Sequence, residues 1–437
     1  MISTPICDFA RDYAERNPGR FHMPGHKGKA FLGCEDRDLT EIEGADDLYH
    51  PAGIIAESEA NASKLFGWPT VYSTEGSSLC IRAMLALAYT AAGRRGRVLA
   101  GRNAHKTFLS AAILLDFPIR WLWAGEDYLS CPVTPEQVEQ AILEEGEKPF
   151  AVYLTSPDYL GNMADIRGIS GVCRKYGVRL LVDNAHGAYL KFLPESRHPM
   201  DLGVDYCCDS AHKTLPVLTG GAYLHFREEG MREAVKNAMA LFGSTSPSYL
   251  IMQSLDLANP YLEGLPRRLK TFAPRVAALK DRLLERGLTL GGEEPLKLTW
   301  VTGPWGYTGT EIAEILEKKN LICEFRDEGH IVFMFTPEND PWALTKLGQA
   351  LCEIPRREAL TDEARQRVEP KAVCSPRQAA LGARERIPVE ESAGRVLATL
   401  SVSCPPAVPI IMCGEEIEEA MIPLLRGFGT EYVEVLK

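Results

Sequence analysis

The sequence lacks runs of clustered lysine or arginine, and its formal net charge is −11. Nucleic-acid phosphates are held by clustered cations, so this argues against a nucleic-acid surface. Attraction of a cationic small molecule is compatible with that charge, but net charge alone selects no ligand. No uninterrupted apolar stretch reaches membrane-spanning length, and MISTPICDFARDYAERNPGR at the start carries charges where a signal peptide needs an apolar core. The expectation is a cytoplasmic protein without a membrane partner. Twelve cysteines, from Cys7 to Cys413, show neither the paired CxxC spacing of zinc sites nor the density of a disulfide scaffold. Reduced, mostly buried thiols are expected, and no metal. Cys207 and Cys208, adjacent in a strand-like run, should point to opposite faces. Internal repeats and low-complexity tracts are absent as well.

What is present is 437 residues, 45% hydrophobic and 24% charged, which suits a large globular domain plus a smaller one. LCIRAMLALAYTAA (79–92) reads as a helix. RVLAG (97–101), FAVYLTS (150–156), VRLLVD (178–183), VDYCCDS (204–210) and GAYLHF (221–226) read as strands. These runs are almost continuously apolar, as strands buried on both faces of a mainly parallel sheet are, and helical segments separate them. An α/β layered domain follows. KLTWVT, TEIAEILEKKN, HIVFMFT and PWALTKLGQALCEI predict a second, small α/β domain. The expected organisation is an arm over 1–60, a large domain over 61–290, a small α/β domain over 291–355, and a connecting segment with a C-terminal domain over 356–437.

Ligands of such sheets sit beyond the carboxyl ends of the strands. SAHK (210–213) directly follows VDYCCD, and a lysine held beside a carbonyl partner can form an imine. A lone lysine is ordinarily a solvated surface charge; its neighbours change that. Asp183 ends VRLLVD and precedes Asn184, Ala185, His186 and Gly187. It reads either as a helix N-cap or as a buried carboxylate facing a cofactor's ring nitrogen, with small Ala185 letting a flat ring lie against the backbone. Gly76, Ser77 and Ser78 open the helix at 79–92, where amides, hydroxyls and the helix dipole suit a phosphate dianion, although ordinary capping explains a lone GSS equally well. His105 follows RVLAG and is either a surface imidazole or one that stacks on a pyridine ring. A phosphate cradle, a stacking imidazole, a carboxylate and a lysine, each after a different segment of one sheet, suit pyridoxal 5'-phosphate, with Lys213 carrying it.

FHMPGHKG (21–28), DLTEIEGADDLYHPAGII (38–55), RNAHKTF (102–108), TSPDYLGNMADI (155–166), VDNAHGA (182–188), SAHKTLPVLTG (210–220) and STSPSYL (244–250) resemble the Orn/Lys/Arg decarboxylase family, major domain. GRVLATLSVSCPPAVPIIMCGEEI (394–417) resembles that family's C-terminal domain. The resemblance implies an aspartate-aminotransferase-like fold (fold type I), a homodimer with shared active sites, and pyridoxal-phosphate-dependent decarboxylation of ornithine, lysine or arginine to a polyamine-pathway amine. It makes Lys213 the cofactor-bearing lysine, Asp183 the partner of the ring nitrogen and His105 the stacking imidazole. Ser77, Ser78, Ser210 and His212 become phosphate-side ligands, and Gly76, Ala185 and His186 complete the cofactor set. FHMPGHKG near the start implies the short form, without an N-terminal wing domain.

Departures from the family's usual residues stand at Asn184 (Glu), Tyr189 (His), Glu75 (Asn) and Gly220 (Gln), and Cys404, Ala407 and Cys413 interrupt a usual YPPG-IP-PGE ending. They leave the cofactor residues intact and bear on substrate choice. Lys213 or His212 is expected to protonate the α-carbon, and Glu415, Asp46 or Glu324 to meet the substrate's distal cation. STSPSYL reads locally as a helix start with Ser246 capping, and the resemblance sends Thr245 and Ser246 to the neighbouring subunit's phosphate. Rival expectations are another reaction of this cofactor class, transamination or β-elimination, or an idle cofactor-binding scaffold. No arginine in these motifs plays the α-carboxylate clamp of an aminotransferase.

Overall fold

The computed structural model describes residues 2–125, 128–360, 367–403 and 408–437. In chain order its first elements are α1 (Pro5–Arg16), α2 (Ile54–Phe66), β1 (Thr70–Ser73), α3 (Gly76–Ala91), β2 (Val98–Gly101), α4 (Lys106–Leu115), β3 (Ile119–Leu122), α5 (Pro135–Glu144) and β4 (Ala151–Thr155). There follow α6 (Ile166–Tyr176), β5 (Arg179–Asp183), β6 (Tyr206–Asp209), α7 (Ala211–Thr214), β7 (Ala222–Phe226), α8 (Arg232–Ala240) and α9 (Tyr249–Glu285). The five strands expected from apolar runs each appear, shortened at the ends. β1 and β3 went unanticipated, because Thr70 and Ser73 in TVYS and Arg120 in IRWL break their apolar pattern. The chain forms two compact units: Met1–Gly93 with Arg179–Lys270, and Arg94–Val178 with Thr271–Lys437.

In the first unit the strand order is β1-β7-β6-β5. β5 and β6 run parallel with Asp183 opposite Cys208, whereas β7 runs antiparallel to both β6 and β1. All residues of β1, β6 and β7 are buried, which is why β6 and β7 fall in apolar runs of the sequence. Parallel β5 and β6 both deliver their carboxyl ends, and with them Asp183 and Ser210, to one edge of the sheet. α1 docks on α9 through Asp256, whose carboxylate accepts from the Cys7 amide (3.0 Å) and the Ser58 hydroxyl (2.5 Å).

In the second unit β4, β2 and β3 lie parallel in that order. A small antiparallel sheet carries Lys297–Val301 and His330–Met334, flanked by helices Gly309–Glu317 and Pro341–Glu353, as the apolar patterns over 297–354 predict. Thr308 and Glu311 form a reciprocal cap that starts the first of these helices. The connecting segment contains a six-residue helix, Pro376–Leu381, and Arg384–Pro388 pairs with Tyr432–Leu436.

Candidate active site

The carboxyl ends of β5 and β6 gather most of the expected residues in the first unit. Asp183 is buried at the end of β5, and its Oδ1 accepts from the Ala185 amide (3.1 Å) and the Cys208 thiol (3.6 Å). Burial, followed by the charge of Asp183, pushes the Cys208 thiol well up, so it stands beside that carboxylate as a neutral donor. Cys207 points the other way, toward Asp209, as strand alternation requires.

The chain then turns through Asn184–Gly187, closed by the Gly187 amide on the Asn184 carbonyl (2.8 Å). A Cβ on Gly187 would lie 2.0 Å from Asn184 Oδ1, so this close approach needs glycine. Asn184 Nδ2 donates to Asp209 Oδ1 (2.7 Å), and Asp209 Oδ2 accepts from the imidazoles of His198 (3.0 Å) and His225 (3.1 Å). Burial would raise the Asp209 carboxyl, but its two imidazole partners outweigh that and hold it well below the usual range. Burial also pushes His225 down, and in its neutral form Thr70 can donate to Nδ1. The spacing of His198, Cys207 and Asp209 would admit a metal ion, yet the Asp209 oxygens already accept hydrogen bonds from both rings and Asn184. This wholly buried network escaped the sequence reading. Its one visible signal is His225, a titratable residue in the apolar run GAYLHF.

Ser210 follows β6 and donates to the Ser77 hydroxyl (2.9 Å), which joins the end of β6 to the first turn of α3. That helix begins at Gly76, not at Leu79, so Gly76, Ser77 and Ser78 form its first turn and Glu75 its N-cap. First-turn amides have no acceptor within their own helix; that of Gly76 reaches the Gly220 carbonyl (2.7 Å). His212 donates from Nδ1 to the Gly221 carbonyl (2.9 Å), and its ring edge would lie 4.0 Å from a Cβ on Gly76. Lys213 Nζ lies 3.1 Å from Nε2 of buried His186. Paired hydroxyls at a helix N-terminus, a primary amine and a buried carboxylate fit the phosphate, the aldehyde and the ring nitrogen of pyridoxal phosphate in turn.

Gly220, where glutamine is usual in the family, has φ +102°, and a Cβ there would come 2.9 Å from the Thr74 carbonyl. Tyr189 and Cys413 are buried. Cys404 and Ala407 lie outside the described residues. Glu75 accepts from the Ser244 amide (2.6 Å), tying the loop of exposed Thr245 and Ser246 to the start of α3. The expectation that Ser246 caps the next helix is corrected: α9 begins at Tyr249, and it is Ser248 whose hydroxyl accepts from the Ile251 amide (3.4 Å). Pro247 lies before the capping residue, two positions earlier than a first-turn proline.

Asp46 uses both oxygens on backbone amides, those of Asp47, Ala52, Gly53 and Ile55 all within 3.0 Å. Its carboxylate therefore builds the entry to α2, a role that its sequence position did not reveal.

In the second unit His105 is the exposed N-cap of α4, with Nδ1 accepting from the Thr107 amide (3.3 Å). Glu415 is buried and receives Arg102 through both oxygens, at 2.5 and 2.7 Å, together with the Met412 amide (2.8 Å). Arg102 also stacks on Trp121 and Trp123, 5.1 and 4.4 Å from the ring centroids. Glu324 is exposed and accepts from the Tyr159 hydroxyl (3.1 Å). Among the described residues no helix is long and apolar enough to cross a membrane.

The family model for Orn/Lys/Arg decarboxylase, major domain, matches residues 4–283, and that for the C-terminal domain matches residues 357–431. The arginine decarboxylase of Bacillus subtilis (strain 168) is 30% identical over 457 residues, covering 96% of this chain and 92% of that protein. Among solved structures, the Francisella novicida lysine decarboxylase LdcF superposes with a TM-score of 0.85 at 17% identity, covering 100% of this chain and 81% of that one. The E. coli constitutive lysine decarboxylase gives a TM-score of 0.81 at 20% identity, covering 100% and 82%. At these identities the structures speak to the fold, which is the aspartate-aminotransferase-like fold type I.

Proposed function

The chain belongs to the Orn/Lys/Arg decarboxylase family, as a pyridoxal-phosphate-dependent decarboxylase, and from that premise we propose that it decarboxylates a basic amino acid, arginine ahead of lysine and ornithine. The observation that carries this reading is the 30% identity to an arginine decarboxylase along 96% of the chain. The reaction takes up one proton and yields CO2 and the corresponding amine, a precursor of polyamines. We place it in the cytoplasm, in a homodimer whose Thr245 and Ser246 serve the neighbouring subunit's cofactor phosphate.

Gly76, Ser77, Ser78, Ser210 and His212 would hold the phosphate, Ala185 one face of the ring, and Lys213 the aldehyde carbon, with His186 beside it. Bound there, pyridoxal phosphate supplies an electron sink for the pair left behind when CO2 departs. Asp183 keeps a proton on the ring nitrogen, a task suited to a carboxylate that is out of water and already oriented by Ala185 and Cys208. His212 has its Nδ1 proton engaged on Gly221, so it could serve the α-carbon only through Nε2, after taking up there the proton that it delivers; Lys213 Nζ is the alternative donor. Of the three acids considered for the distal cation, Glu415 is neutralised by Arg102 and Asp46 is enclosed by amides. That leaves exposed Glu324 as the candidate of the three. Release of CO2 and amine, measured against arginine, lysine, ornithine and a panel of neutral and acidic amino acids, tests the reading. Turnover confined to non-basic substrates would overturn it.

A further inference from the structure

We propose that His186 is the positioning residue for Lys213: its Nε2 accepts a hydrogen bond from the lysine's terminal nitrogen and aims that amine. This rests on the reading of Lys213 as the cofactor-bearing lysine and adds to it the group that orients the nucleophile. The two nitrogens are 3.1 Å apart, within hydrogen-bond reach. An ammonium has no lone pair, so whenever Lys213 is protonated the bond runs from Nζ to Nε2, and His186 carries its own proton on Nδ1.

The backbone that carries the imidazole is itself fixed. It stands in the turn Asn184–Gly187, which is closed by its own backbone and by the glycine that lets Asn184 lie against it. Asn184 is anchored on Asp209, and Asp209 on His198 and His225. Lys213 is held at its other end, where its amide meets the Ser210 carbonyl (3.0 Å). A flexible four-carbon side chain is thus tied at both ends, by α7 at the backbone and by His186 at the amine. Fixing a nucleophile within hydrogen-bond distance of a rigid group raises its rate by orientation, not by altering its chemistry.

Two substitutions separate the ring from its nitrogen. His186→Gln keeps an acceptor oxygen and loses the ring; His186→Phe keeps the ring's bulk and loses the acceptor. Full-length protein stripped of cofactor is mixed with pyridoxal 5'-phosphate, and capture is followed by the rise of the visible band, then mapped by borohydride fixation and peptide analysis. Wild type and His186→Gln should capture at rates within about threefold of each other, and His186→Phe about tenfold slower or worse, the usual worth of a hydrogen bond to a charged group. Equal rates for Gln and Phe, whether both normal or both depressed, would overturn the proposal. A thermal melt of each variant, monitored by far-UV circular dichroism, checks folding; should Phe unfold, His186→Leu supplies the apolar arm. Failure of the underlying reading looks different, since the adduct in the wild type would then lie on a lysine other than Lys213.

Discussion

Removing the carboxylate of Glu415 should destabilise the protein without a selective effect on substrate binding. Glu415→Ala leaves the Arg102 guanidinium, whose side chain is fully buried, without a counter-charge. Loss of one partner of a buried ion pair costs about 3–5 kcal/mol. The Met412 amide, which also donates to Glu415, loses its acceptor and adds about 1 kcal/mol. The two tryptophans stacked on Arg102 make a local reporter, so urea unfolding followed by intrinsic fluorescence reads the change near its source. The double variant Arg102→Met/Glu415→Leu removes both charges and should recover most of the loss, since replacing a buried pair by apolar groups of similar volume is often neutral. If Glu415→Ala instead lost less than about 1 kcal/mol while KM rose for basic substrates alone, Glu415 would be a substrate acid and its assignment to the fold would be wrong.

The purified protein should be yellow, and borohydride should bleach the visible band and leave the adduct on Lys213; Lys213→Ala should have no turnover, and a peptide map with the adduct elsewhere refutes the assignment. Asp183→Asn should cost turnover by about a hundredfold or more with little change in KM, since an unprotonated ring is a poorer electron sink; near-normal turnover means that another group faces the ring nitrogen. Burial raises the Asp256 carboxyl from 3.8 to about 6 against the hydrogen bonds of Ser58 and Cys7. The folded state therefore holds that proton more tightly than the unfolded chain does. Its stabilising share is complete below pH 3.8 and fades as pH rises through about 6, a change of at most about 3 kcal/mol. Asp256→Asn should flatten this part of the stability-pH curve, and an unchanged slope between pH 4 and 7 counts against it. Mixing Lys213→Ala with a Thr245→Ala/Ser246→Ala chain should restore activity in hybrid dimers, one of whose two sites would have both a sound lysine and sound partner hydroxyls; confirmed hybrids without activity would rule out a shared site.

The parts of the fold and site that were legible in the sequence are those in which one segment both forms the element and carries the chemistry. β5 and β6 could be read because each has an apolar centre, LLV and YCC, and Asp183 and Ser210 could be picked out because they come at the strand ends, where a parallel sheet presents its ligands. Lys213 could be singled out through its neighbours, four positions beyond Asp209 at the end of β6. What stayed hidden depends on two segments meeting. Glu415 and Arg102 are 313 residues apart and share a buried ion pair, so neither position advertises that the acid's charge is already spent. Asp46 was hidden for the opposite reason: its partners are local backbone amides, which leave no mark on side-chain pattern. The cap of α9 was misplaced because Ser246 and Ser248 offer the same hydroxyl on either side of Pro247, and only the path of the chain selects Ser248. The support for His186 combines both kinds of concealment. Its turn is local and contains the glycine that signals a close approach, but Asp209, His198 and His225, which hold that turn in place, come from three other segments. A motif thus shows which atoms can react, while the contacts behind it decide how firmly they are aimed.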